Sequence, residues 1–507
     1  MRMSGVCCVA LLLLSGVAMA QAPAAGRQMQ NSALGVVQFS AHASFLEAPP
    51  RLYTPVQPDI AQIPQEFPLG LFPNVGSGLA FKGRSGNAVD FYGVTDRGPN
   101  TDAPSKISNP SGSASKVFPV PGYEPGFGTI RVDAAGARLL NFIPLRWADG
   151  RKVSGLPPQA KSTEAVEVPL TAQFRFDAAT SQFDPDGLDP EAIVFDARRK
   201  TLWISDEYGP WLLRVDPSTG VIRQRIGPGS GSTDFPAVLA ERRSNRGMEN
   251  LTLDVTTQRL VGALQSPIDP QDSTGRPLQA APPGGKPIDI KYAARFIRWV
   301  EFDPQTGHSR SYAYPVDGSL YDKGRTGAAK LGDIVSLGSG RYLAIEQGNR
   351  AADGKVQHWL MLVQVPVDAT DISRHGHDLE ISSITEAKVG DSDWSAVVPL
   401  RKTRLLDLDA AGWTAEKAEG LALVDANTLA LINDNDYGIA SQLLDAQGLP
   451  VAGNIEDCTL DAATGRVYQC QAASAVAAKV VPRKGDEHRV QLWMIRFQRR
   501  LDSWQLP

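Results

Sequence analysis

Glu191, Asp206 and Glu207 bracket a short hairpin pattern in DPDGLDPEAIVFDARRKTLWISDEYGP, which begins at Asp184. Ala192 to Phe195 is apolar and β-branched, Ala197 to Lys200 is a polar turn, and Thr201 to Ser205 is a second apolar run, so two antiparallel strands are predicted. The midpoint between residues 191 and 206 falls in that turn. The carboxylates therefore face each other at the open end of the hairpin, where like charges repel unless a cation lies between them.

The same pattern recurs in SGLAFKGRSGNAVDFYGVTDRGPN from Ser77, MENLTLDVTTQRLVGALQS from Met248, LGDIVSLGSGRYLAIEQGNR from Leu331 and AEGLALVDANTLALINDND from Ala418. Midpoints of Ser77 with Asp96, Glu249 with Gln265, Asp333 with Glu346 and Glu419 with Asp434 all fall in turns. Brought to one rim, these ends offer Asp96, Glu191, Asp206, Glu207, Glu249, Glu346, Glu419, Asp434 and Asp436, with the amides Asn250, Gln265, Asn349 and Asn433. Carboxylates and amides without nearby Cys or His suit a hard, oxygen-liganded cation, above all Ca²⁺. Arg97, Arg246, Arg350 and Lys417 stand beside them, and guanidinium groups there can fork phosphate or carboxylate oxygens.

Five hairpins spread along one chain predict a repeat architecture, since no unit buries both its faces alone. Their spacing predicts an all-β fold, a single β-propeller of about six blades with long loop insertions, the first two strands of each blade lining the channel. Pro99 to Pro125, Gly227 to Ser244 and Pro267 to Pro287 are rich in Pro, Gly and Ser and read as those insertions. The strand pattern QLWMIRFQ around Phe497 is expected to complete a blade begun by Leu34 to Leu46, which would close the ring. Turns such as VDPSTGVI at Val215 and LDAATGRVY at Leu460 pair a capping Asp with a Gly free to take positive φ.

Arg2, the apolar run Val6 to Val17 and the small-residue site Ala18-Met19-Ala20 have the form of a secretory signal cleaved after Ala20. This divides the chain into a signal at 1–20, a flexible leader at 21–33 and a propeller at 34–507, with a periplasmic or secreted location expected. Cys458 and Cys470 flank a strand–turn–strand pattern centred on residue 464 and are expected to be bridged in an oxidising compartment. A net charge of −4 and the lack of a basic tract exclude nucleic acid as an expected partner. No later apolar run reaches membrane-spanning length, and a monomer acting on a small molecule is expected. There is no GxSxG elbow. GPGSGS at Gly227 and PPGGK at Pro282 read as loops, and His375 and His377 as surface residues.

VTDRGPN at Val94, DPEAI at Asp189 with ISDEYGP at Ile204, SNRGMENL at Ser244, EQGNR at Glu346 and AEGLALVDANTLALINDND at Ala418 together resemble the signatures of the secreted phytase-like, esterase-like proteins. The resemblance runs from about Leu34 to Phe497. It implies a β-propeller, export, and hydrolysis of phosphate or other esters with Ca²⁺. Ala192 and Asn250 stand where the family usually has Gly. On this reading Glu191, Glu249, Glu346, Glu419 and Asp434 hold the metal. Asp206 or Glu207 acts as general base, with Asp96 in the catalytic set, and Arg97 or Arg246 holds the anionic oxygens. Lactone or carboxylic ester hydrolysis at the same metal, and a non-catalytic propeller that binds a ligand or protein, are the alternatives.

Overall fold

The computed structural model describes residues 26–47, 66–67, 70–108, 112–113, 115–158, 167–176, 183–231 and 233–506. The expected signal segment lies outside the described residues. Each recurrent hairpin forms the inner half of a four-stranded antiparallel sheet. The first blade comprises Gly78–Ser85, Ala88–Val94, Gly126–Asp133 and Gly136–Pro144. The second runs through Pro190–Asp196, Thr201–Asp206, Trp211–Val215 and Ile222–Ile226. Met248–Leu253, Leu260–Leu264, Phe296–Phe302 and Ser309–Pro315 form the third. Ala329–Gly338, Arg341–Asn349, Val356–Gln364 and Arg401–Asp407 form the fourth.

The fifth blade joins the two ends of the chain. Leu421–Asp425 pairs with Thr428–Ile432, which pairs with Gln491–Phe497, which pairs in turn with Gly35–Glu47. The expected closure is therefore present. Within the segment expected as a flexible leader, Arg27–Asn31 is a strand on the outer edge of this blade.

The innermost strands pack against one another in the order first, second, third, fourth, fifth and back to first, so the ring closes with five blades among the described residues. The chain is a β-propeller, and the expectation of about six blades counted material that does something else. Residues 101–117, 168–176 and 439–482 form three small sheets around a separate core of Val117, Phe174, Leu460, Val467 and Val480. This satellite stands beside the channel mouth. Cys458 and Cys470 are bridged within it, twelve residues apart. Replacing both with Ser is expected to destabilise the satellite by about 3 kcal/mol on the loop-entropy estimate. Chemical denaturation of the variant beside the parent checks it, and coincident curves would count against a structural role.

Apolar faces of neighbouring blades meet edge to face, as Trp299 and Tyr342 do across the third and fourth at 5.3 Å between ring centroids. At the axis the backbones come closer still. A Cβ on Gly78 would lie 2.6 Å from Ala192 Cα, and one on Gly420 would lie 2.8 Å from the carbonyl carbon of Gly78, so only glycine fits at these points. Asp333, 2% exposed, pins the ring at this level. Its carboxylate accepts the backbone N–H of Leu251 (3.3 Å), Ile334 (2.9 Å) and Leu421 (3.0 Å), with Leu79 as a fourth donor. One side chain thus collects donors from four of the five blades and satisfies groups that burial would otherwise leave costly.

Candidate active site and metal centre

Above that level the inner strands carry bulges. In the second blade the register shifts between Pro190 and Ile193, in the third between Met248 and Asn250, and in the fourth between Leu331 and Ile334. A bulge turns one side chain out of the pleat. Here it releases Glu191 and Glu249 towards the axis, while Glu419 enters from the turn before the fifth inner strand.

These acids line a cavity of about 590 Å³ between the ring and the satellite. Every lining residue is charged or carries an amide or hydroxyl group. Asp189, Glu191 and Glu207, all buried, each offer a carboxylate oxygen within 4.8 Å of the others. Asp189 is fixed by the backbone N–H of Arg97 (2.9 Å), and its own carbonyl accepts the N–H of Glu207 (2.8 Å). Burial pushes the Glu191 carboxyl well above its usual range, and Glu249, Asp189, Glu207 and Glu419 push it further. Glu249 is raised by burial, then by Glu419 and Glu207. Glu207 is raised by burial and Asp189 against the pull of Arg97, Lys330 and Arg246. Asp96 is raised by burial, Asp434 and Asp189.

The donor set fits a hard cation. Its ligand atoms are carboxylate oxygens alone, the donors that hard cations take. Glu249 Oε2, facing the same space, is buried without a hydrogen-bond partner. The buried cluster of Asp189, Glu191 and Glu207 can hold a metal ion.

Of the other expected site residues, Asp434 lines the cavity but is tied to Lys417 Nζ (3.1 Å), the Asp436 N–H (2.8 Å) and the Asn74 amide. Arg97 also lines it, yet its guanidinium is engaged by Glu167 (2.6 Å), Asn245 (2.7 Å), Asn100 (3.2 Å) and Asp189 (3.5 Å). It orders the acids rather than offering an open fork. Asp206 lies behind the wall, fully buried, accepting the N–H of Asp189 (2.8 Å) and Gly209 (2.9 Å). Alternation along the strand sends Asp206 and Glu207 to opposite sides, and the bulge makes Pro190, not Glu191, the partner of Asp206.

Glu346 is likewise removed from the metal cluster. Its partner is Leu331 rather than Asp333, and it accepts from Tyr314, from Tyr321 (2.5 Å) and from Lys402 (2.5 Å). Asn349 and Arg350 are occupied within their own turn, on Gly354 and Asp353. Asn250 is fully buried below the cavity, with neither side-chain polar atom partnered.

Asp189, Arg243, Lys330, Lys116 and Glu167 line the cavity without having been singled out as site residues from sequence. Asp189 was inside a quoted motif, and its place two residues before Glu191 was the available signal. Lys330, second residue of the fourth inner strand, is drawn down to about 8, chiefly by Arg246 and then by burial. Arg246 is drawn down to about 9 by burial and by Arg243.

A search of curated proteins returns no relative by sequence. Among solved structures, a protein from Lactobacillus plantarum is 10% identical over 90% of this chain and 98% of its own, with a TM-score of 0.29. The PQQ-bound aldose sugar dehydrogenase from Streptomyces coelicolor is 11% identical over 90% and 99%, with a TM-score of 0.26. A GH43 endo-arabinanase from Bacillus licheniformis is 11% identical over 75% and 98%, with a TM-score of 0.27. Scores this low carry no argument, and the propeller rests on the sheets themselves. The family model Phytase-like, described as esterase-like activity of phytase, matches residues 77–437. That span runs from the first acid-bearing hairpin through Asp436 and takes in the inner strands of all five blades, so the chain belongs to the Phytase-like family.

Proposed function

We propose that this protein is an exported, monomeric, Ca²⁺-dependent hydrolase of small-molecule esters or phosphoesters that works at the mouth of the propeller. The observation that carries the reading is the meeting of Asp189, Glu191 and Glu207 in a wholly polar cavity. Its volume suits a small molecule. The family description supports an esterase-like activity, and the bridged cysteines agree with an oxidising compartment.

Asp189, Glu191 and Glu207 would hold the cation, which when bound supplies Lewis acidity and a countercharge to the buried acids. Glu249 takes the proton of the attacking water, because its Oε2 is unpartnered and burial, with Glu419 and Glu207 beside it, raises its affinity for a proton. Arg97 keeps Asp189 in place through its backbone N–H and guanidinium. Arg246 and its cationic neighbours face the developing negative charge.

The test is turnover of p-nitrophenyl phosphate and p-nitrophenyl acetate by chelated protein, before and after Ca²⁺ or Mg²⁺ is returned. Hydrolysis that Ca²⁺ restores better than Mg²⁺ is expected. Lack of turnover with either ion on either ester would overturn the hydrolase reading and leave a binding propeller.

A further inference from the structure

Among the described residues four lysines line the cavity. Three are tied to carboxylates, Lys116 to Asp102 at 2.5 Å, Lys291 to Asp269 at 2.8 Å and Lys417 to Asp436 at 2.7 Å. Lys330 is half-buried, yet its amine has neither an ion pair nor a hydrogen bond among the described residues. Taking a cation partly out of water without giving it a partner costs free energy, so packing alone does not account for its place. The backbone beneath it is rigid. Lys330 is the second residue of the fourth inner strand, lies opposite Gln347, and is flanked by Ala329 and Leu331, both fully buried. The ring itself therefore presents this amine to the cavity.

Its surroundings keep a proton off that amine. Arg246 acts first, burial next and Lys417 third, against the opposing pull of Glu419 and Glu249, and the value falls to about 8. Arg246 is held in place, since it and Arg243 donate through Nη1 to the one Gly327 carbonyl, at 3.3 and 3.4 Å. At neutral pH about a tenth of the molecules then carry a free amine at this position, against about four in ten thousand for an ordinary lysine. A lysine kept from water beside another cation is one of the arrangements by which proteins make an amine nucleophilic. We propose that Lys330 is a nucleophilic amine that captures a small, hydroxyl-bearing aldehyde or ketone as an imine. The lining, charged or hydrogen-bonding throughout, selects hydroxyl-bearing compounds over apolar ones. In the capture the nitrogen lone pair bonds to the carbonyl carbon and the C=O π pair moves to oxygen. That oxygen takes two protons in turn and leaves as water, both protons having come off nitrogen, and a C=N bond remains. Glu249, with its unpartnered Oε2 in the same cavity and a carboxyl raised by burial and by Glu419 and Glu207, relays them. This chemistry goes beyond the hydrolase reading and needs neither the ion nor an ester.

The experiment treats full-length mature protein with glyceraldehyde and cyanoborohydride, which reduces an imine to a stable secondary amine, and follows the rate of modification at each lysine by peptide mass spectrometry. Lys152 and Lys323, with side chains 74% and 68% exposed, serve as internal references. At pH 7 Lys330 is expected to be modified at least tenfold faster than either, an advantage that narrows towards about pH 10, where ordinary lysines lose their protons as well. Arg246→Gln is expected to slow modification of Lys330 at pH 7 at least threefold while the reference rates stay unchanged. Equal rates at the three lysines of the parent at pH 7, or a Lys330 rate that Arg246→Gln leaves unchanged, would overturn the assignment. Rapid capture at Lys330 by a protein that turns over no ester supports the assignment and sinks only the hydrolase reading, whereas ester turnover with an unreactive Lys330 sinks only the amine.

Discussion

Glu249→Gln is expected to lower kcat by about two orders of magnitude or more while calcium binding and the melting temperature of the calcium form stay close to those of the parent. The change keeps the side chain's shape and removes its capacity to accept a proton. Glu207→Gln is expected to act differently. It takes a ligand from the cluster with Asp189 and Glu191, so calcium affinity falls and activity returns in part at high calcium. Asp206→Asn separates site from scaffold. Both Asp206 oxygens accept backbone N–H groups, so an amide would set an N–H₂ against a buried donor and cost about 1–3 kcal/mol of stability. Steady-state kinetics over a calcium titration, with thermal melts of each variant, distinguishes the three. Full kcat in Glu249→Gln would remove that residue from the chemistry.

Chelation is expected to make stability fall as pH rises, and calcium to suppress that fall. Glu191, Glu207, Glu249, Glu419, Asp189 and Asp96 are all raised in the folded protein, so the native state binds more protons than the unfolded chain above the ordinary carboxylate range. Stability contributed by protonation is complete below the unfolded pKa values and is lost as pH rises through the raised folded values. Each unit of elevation corresponds to about 1.4 kcal/mol. Lys330, at about 8, keeps most of its charge up to neutral pH and adds little slope there. Calcium replaces the missing countercharge and, at a thousandfold excess over its Kd, adds about 4 kcal/mol. Melting temperatures of chelated and calcium-loaded protein from pH 5 to 7 test this. Two parallel, flat profiles would show that the acids are compensated without an ion.

Much of this geometry was legible in the sequence because strand pairing obeys a simple sum rule. The turn centre between Glu191 and Asp206 predicts the pairing of Ile193 with Ile204 that is found. What the rule lacks is the bulge. Extra residues in the second inner strand at Glu191 and in the fourth between Leu331 and Ile334 shift the strand ends, so Asp206 and Glu346 turn into the blades while Glu207 keeps its place at the cavity. Lys330 and Arg243 sit in no acid-bearing pattern, and only the fold brings Arg243 beside Arg246 on the Gly327 carbonyl and Lys330 into the same cavity. Blade number was misread for a related reason. The long gap between the hairpins at Ser77 and Glu191 leaves room for a blade, but its short strands at 101–117 and 168–170 pair with one another and with Thr459–Asp461 rather than with the ring.

The closing blade also fixes an order of events during synthesis. Gly35–Glu47 leaves the ribosome among the first folded residues, yet its partner Gln491–Phe497 is made almost last, and Phe39 pairs with Phe497 across roughly 450 residues of chain. Until then the early strand has only the short Arg27–Asn31 on its outer edge, and the first and fourth blades each present an uncovered flank. A nascent chain therefore carries sticky sheet edges for nearly the whole of its production, the condition that favours pairing with a neighbouring chain. Chaperone demand should accordingly track the time to complete the last strand, and a circular permutant that begins between Asp407 and Leu421 would make the whole fifth blade first, with its closing pair in one stretch, and shorten that exposure.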